Sequence, residues 1–210
     1  MSSLIGQEPP RVRPTGWPVR RTPRWIFLAG AGLLVIAAAV ALVHKPSQAQ
    51  RASDMRGVLQ QLSADIESCA GGLGESLTAM RQVQAQHPRS ATDVSDATSL
   101  AQQAAANCSP ANNELIDDLE NYQVPESLSS FGLKSAVTNL VDWAAPHAQQ
   151  VATDIANVLS ATNPQATRAA RTTLARDLAA LDAKRTKVDA PIANAIRALA
   201  MKASPPRLPG

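Results

Sequence analysis

Two cysteines, three histidines and one dense run of carboxylates are the residues whose chemistry reaches beyond packing. Cys69 and Cys108 carry the sharpest signal. Each falls on the apolar stripe of a helical pattern, and the two patterns meet at a turn around His87-Pro88-Arg89-Ser90. Cys69 lies 19 positions before Pro88 and Cys108 lies 20 after it, so in an antiparallel hairpin both stand at one level. Outside the cytoplasm such a pair is oxidised. The expectation is a single structural Cys69–Cys108 disulfide. A redox-active dithiol is disfavoured because the Cys-x-x-Cys spacing is missing.

The carboxylates Glu114, Asp117, Asp118 and Glu120 sit in Glu-Leu-Ile-Asp-Asp-Leu-Glu. Paired carboxylates serve glycoside hydrolysis or bind calcium. Here they occupy a short helical pattern without the glycine turn and spaced oxygens of a calcium loop, so a solvated face is the expectation. His44, His87 and His147 lack zinc-site spacing. Neither a Gly-x-Ser-x-Gly elbow, a phosphate loop nor a dinucleotide fingerprint occurs. The Gly-rich stretch after Cys69 follows a helical pattern rather than a strand. The sequence therefore implies no catalytic residues, no metal and no cofactor.

The elements that must position these residues are helices. Of 210 residues 39 are alanine, and only 3% are aromatic. Alanine favours helix and disfavours strand. From Arg51 the apolar positions Met55, Leu59, Leu62, Ile66, Cys69, Leu73, Leu77 and Met80 recur every three or four residues, one buried stripe of a helix ending near Gln86. Gly71, Gly72 and Gly74 either admit a close neighbour or mark a kink. A second helix spans about 91–107 on the stripe Val94, Ala97, Ala101, Ala104 and Cys108. Ser109-Pro110 reads as the start of a third, stopping near Tyr122. A fourth runs from about Ser127 to Ala145, and Pro146 kinks it or opens another. A last helix from about Gln165 carries Leu174, Leu178, Leu181, Arg185, Val188, Ile192, Ala195 and Leu199, with a bend expected at Pro191.

One more segment has a length that matters. Trp25 to Val43 is uncharged and apolar, long enough as a helix for the roughly 30 Å hydrocarbon core of a bilayer. Arg11, Arg13, Arg20, Arg21 and Arg24 precede it against the one acid Glu8, which places the leader in the cytoplasm. The expected organisation is a disordered basic cytoplasmic leader over 1–24 and a transmembrane signal anchor over 25–44. An extracytoplasmic helical domain follows over 45–204, then a disordered tail over 205–210. The rival is a cleaved signal, with secretion after cleavage near Ala49. The fold class is thus all-α: a membrane helix, then a bundle of about five or six helices with one disulfide.

Charge is segregated along the exported part. Nine acids and the single base Lys134 occupy residues 90–167, whereas nine bases and three acids occupy 168–210. Internal complementarity is the simpler explanation, with the last helix laid against the acidic middle. Nucleic acid is disfavoured as a partner because aromatic side chains for stacking are scarce. The functional expectation is a membrane-anchored, non-catalytic binding or scaffolding module of the bacterial envelope. Its partners are the membrane, through residues 25–43, an envelope protein and a second copy of the chain. The alternative is a ligand-sensing bundle whose pocket or partner surface involves Trp143, Tyr122, Gly71 and Gly72. An envelope enzyme ranks third.

Overall fold

The structure, a computed structural model, describes residues 46–210; the arginine-rich leader and the proposed membrane span lie outside the described residues. Among the described residues every regular element is helical, and no helix is long and apolar enough to cross a membrane. Seven α-helices follow one another: α1 (Gln48–Asp65), α2 (Glu67–Ala85), α3 (Ala91–Asn107), α4 (Asn113–Glu120), α5 (Leu133–Asp142), α6 (Gln149–Ser160) and α7 (Pro164–Ala198). A 3₁₀ turn (Glu126–Phe131) leads into α5, and a π-type segment (Trp143–Ala148) joins α5 to α6.

Three helix starts are written locally. The Ser47 hydroxyl accepts from the Gln50 amide at 3.1 Å, and that of Ser90 accepts from the Asp93 amide at 3.3 Å. Asn163 Oδ1 accepts from the Ala166 amide at 2.8 Å, ahead of Pro164 in the first turn of α7. Each satisfies one of the amides a helix leaves unpaired, worth about 1 kcal/mol.

Three expectations change. The first long helix breaks at Ile66 (φ −94°, ψ −3°) and not at the glycines, which stay inside α2. The Ile66 ψ is far from the helical value, while its side chain remains buried. Ser109-Pro110 does not open a helix. The Ser109 carbonyl accepts from the Asn112 amide at 2.9 Å in a turn, and α4 starts only at Asn113. The helix expected over 127–145 is divided by Gly132, whose left-handed φ of 70° is cheap only for glycine. At the far end Ala145 (φ −128°, ψ 117°) is extended, as the residue before Pro146 prefers, and α6 begins beyond it. By contrast α7 runs on through Pro191, with Val188 and Ile192 buried on either side of it.

The α2–α3 hairpin stacks on α6, and α7 covers α6 and α5 from the other side. The centre of the bundle is therefore α6. Val151, Ala152, Asp154, Ile155, Ala156, Val158 and Leu159 are all buried, and the solvent face of this helix is the narrow stripe of Gln150, Thr153, Asn157 and Ser160. The alanine stripe of α3 (Ala97, Ala101, Ala104) removes little apolar area, so the hairpin gains stability elsewhere.

That source is the cross-link. Cys69 on α2 and Cys108 at the end of α3 form a disulfide with a Cα–Cα distance of 4.8 Å across 39 residues of chain. Both are fully buried. A β-carbon placed on Gly72 would lie 3.5 Å from both Cα and Cβ of Ala104, an ordinary contact, so Gly72 lies on the α2–α3 seam and stays within the helix without the approach requiring a glycine. Asn107 Nδ2 donates to the Ser68 carbonyl at 3.4 Å across the same seam.

Residues 201–210 form no helix, in keeping with their prolines, yet they are not free of the body. Pro206 is buried and Leu208 is only 6% exposed.

Candidate binding groove

The apolar face of α4 buries Leu115 and Leu119, which sends Tyr122 to the C-terminal end of the helix, where Val124-Pro125 turns the chain toward α5. A groove of about 850 Å³ opens there. Leu119, Val124, Val137 and Val141 line its apolar part. Tyr122, Glu120, Gln123, Lys134, Thr138 and Asp142 supply its polar part. Lys134, the lone base of the acidic middle, thus stands at the groove. At its edge Lys184 Nζ donates to Asp142 Oδ2 at 2.7 Å and ties α7 to α5. Burial raises the Tyr122 hydroxyl above its ordinary pKa, helped by the charge of Asp65. The same two causes, with Asp118 as the charge, raise Asp65, while Gln61 Nε2 opposes the rise by donating to it at 2.7 Å. The arrangement offers apolar contact with a few oriented polar groups. It pairs no nucleophile with a base.

The other residues named from the sequence go elsewhere. Trp143 is 0% exposed and packs in the core, with Nε1 lacking a hydrogen-bond partner. Gly72 serves the α2–α3 contact. Gly71 faces away from the groove, beside residues 206–207. So Tyr122, Trp143 and Gly71 share no cavity. The carboxylates of α4 divide as well. Glu120 reaches the groove, whereas Glu114 and Asp118 line a separate hollow of about 260 Å³ with Asp65 and Ser68. Among the described residues no group of three or more His, Cys, Asp and Glu is placed to hold a metal ion.

Internal charge complementarity is narrower than the segregation suggests. Lys184–Asp142 is the one recorded ion pair from α7 to the acidic middle among the described residues; Arg176–Asp177 and Arg185–Asp182 stay within α7. A second electrostatic feature was not visible in the sequence. Asp154, buried in α6 at 3% exposed, accepts from Gln150 Nε2 at 3.1 Å through Oδ1. Its Oδ2 is buried without a donor and faces Asp177 of α7. Burial, then the contact with Asp177, raises the Asp154 pKa. Asp177 is held low, chiefly by the Arg176 guanidinium, which donates to both its oxygens at 2.7 and 3.1 Å. The two carboxyls are thus pushed in opposite directions, Asp154 toward its protonated form and Asp177 toward its charged form.

Over the described residues the fold and groove define a class: a disulfide-stapled, all-helical domain with an amphipathic groove between α4 and α5. Comparison with known family models, curated proteins and solved structures finds no match to the chain.

Proposed function

We propose that the chain is a non-catalytic binding or scaffolding module, anchored in a bacterial membrane by residues 25–43 and displayed outside the cytoplasm. The buried Cys69–Cys108 disulfide is the observation that carries this reading. A cross-link enclosed by helices α2 and α3 suits an oxidising compartment and is rare in the cytosol. The arginine leader and the apolar run after it supply the route there. Cleavage near Ala49 would remove Ser47, the cap of α1, which favours an anchor over a cleaved signal.

The groove at Tyr122 is the surface this module offers. Its mixed lining and open form suit a protein segment laid against α5, in keeping with an envelope protein partner. The tether confines the encounter to the membrane plane and raises effective concentration. A ligand-sensing bundle is the second reading, favoured by a groove volume within the range of small-molecule sites.

Two measurements on intact cells test the proposal. Reporters that are active on only one side of the membrane, fused after residue 210, are expected to show the C-terminal side outside. A photo-crosslinking residue at Thr138 is expected to trap a discrete protein adduct that the same residue at exposed Thr172 does not. A C-terminal reporter active only in the cytosol would overturn the location. Identical adducts from the two positions would overturn the groove.

A further inference from the structure

Charge is sorted across α7 as well as along the chain. Its three acids, Asp177, Asp182 and Asp189, are half-buried. Arg168, Arg176, Lys187 and Arg197 are exposed, and their separations are close to whole helical turns, so they share one outward stripe. Exposed Ala179, Ala183 and Ala190 lie between them on the same stripe, which makes it flat. Arg176 stays 72% exposed although it is bonded to Asp177. For the other three no ion pair is recorded among the described residues. From Arg168 to Arg197 the stripe runs roughly 44 Å.

The rest of the body does not neutralise this face. Six of the nine acids in residues 90–167 belong to α3 and α4, and α3 stacks on the side of α6 opposite α7. Lys184, which reaches Asp142, is half-buried and stands off the stripe. The domain is therefore electrically polar, with a long cationic face on one side. A flat face of this length fits an extended anionic surface better than a compact ligand. The chain brings one close. Only His44, Lys45, Pro46 and Ser47 separate the apolar run ending at Val43 from the start of α1. Four residues span at most about 14 Å, and the screening length at physiological salt is about 8 Å. Helix α1 itself packs against α7.

We infer that the outward stripe of α7 is a docking face for an anionic bilayer surface, with Arg168, Arg176, Lys187 and Arg197 meeting lipid phosphates. The inference rests on the membrane anchor proposed above and adds a second, electrostatic contact with the same membrane. Docking lays α7 along the bilayer and so fixes the orientation in which the Tyr122 groove is offered.

The test places the full chain in lipid nanodiscs of phosphatidylcholine, alone or mixed with phosphatidylglycerol, each doped with a nitroxide-headgroup lipid. The readout is paramagnetic broadening of the alanine methyl signals. With phosphatidylglycerol present, Ala179, Ala183 and Ala190 are expected to broaden severalfold more than exposed Ala91 and Ala106 of α3. The difference is expected to vanish in phosphatidylcholine alone, and in about 1 M salt, where the screening length falls to about 3 Å. Arg168→Glu with Lys187→Glu is expected to abolish it. Arg81→Glu with Arg89→Glu, the same change of charge at exposed sites off α7, is expected to leave it. Far-UV circular dichroism, with helicity unchanged, excludes unfolding of either variant. A nanodisc has no inside or outside, so the result is independent of the direction of export. A chain that stays out of the discs would overturn the anchor and this inference together. A chain in the discs whose stripe broadens no more than α3, or broadens equally without phosphatidylglycerol, would overturn this inference alone. So would a salt-sensitive dimer in detergent that Arg168→Glu with Lys187→Glu dissolves, which would give the face to a second copy.

Discussion

Breaking the bond between Cys69 and Cys108 tests the architecture most directly. The perturbation is reduction of the natural chain, compared with the double variant Cys69→Ala, Cys108→Ala. The cross-link closes a loop of 39 residues. Restricting the unfolded chain over that span is worth roughly 4 kcal/mol. A domain of this size shifts its Tm by about 2–4 °C per kcal/mol, so reduction is expected to lower Tm by roughly 8–16 °C. The double variant is expected to fall further, because it also removes two buried sulfurs from the α2–α3 seam. That seam otherwise rests on alanine and on the approach of Gly72 to Ala104, which leaves little reserve. Thermal unfolding followed by far-UV circular dichroism, with and without reductant, reads both values. A drop under about 3 °C on complete reduction would refute the reasoning. It would mean that helix packing alone carries the hairpin and that the alanine core is stronger than its area allows.

Gly72→Ala is expected to be tolerated and to stabilise α2 by up to about 1 kcal/mol, since the added carbon meets Ala104 at 3.5 Å, an ordinary contact. Gly72→Leu is expected to push α3 away and cost roughly 1–3 kcal/mol; chemical denaturation of the two variants measures both. Asp154→Asn keeps the acceptor for Gln150 and offers Asp177 a permanent donor. The raised Asp154 pKa means that its share of stability is fully present below the unfolded value of 3.8 and is lost as pH rises through the folded value. The lowered Asp177 works the other way, its share being present above 3.8 and lost as pH falls through its folded value. Asp154→Asn is therefore expected to raise Tm at pH 7, on the scale of one hydrogen bond or about 1 kcal/mol, with the gain shrinking on acidification below 3.8. Equal Tm changes at both pH values would show that Asp154 stays in one protonation state throughout.

The sequence by itself determined the helical class, the buried stripes and the disulfide. Leu174, Leu181, Val188, Ile192 and Ala195 recur at helical spacing and are buried as that spacing requires. Cys69 and Cys108 stand level because a hairpin of two helices turning at Pro88 leaves them no other relation. These are local properties: a helix repeats every 3.6 residues wherever it lies, and a short turn fixes the register of its two arms. Tertiary structure decided which faces meet. It made α6 the centre of the bundle, withdrew Trp143 into the core, and left Tyr122 at a groove far in sequence from Gly71. It set Asp154 against Asp177 and buried Leu208 with the core, although nothing in the local pattern of either segment names its neighbour. Such contacts depend on the order in which helices stack, and stacking is chosen by the summed fit of many side chains from distant segments.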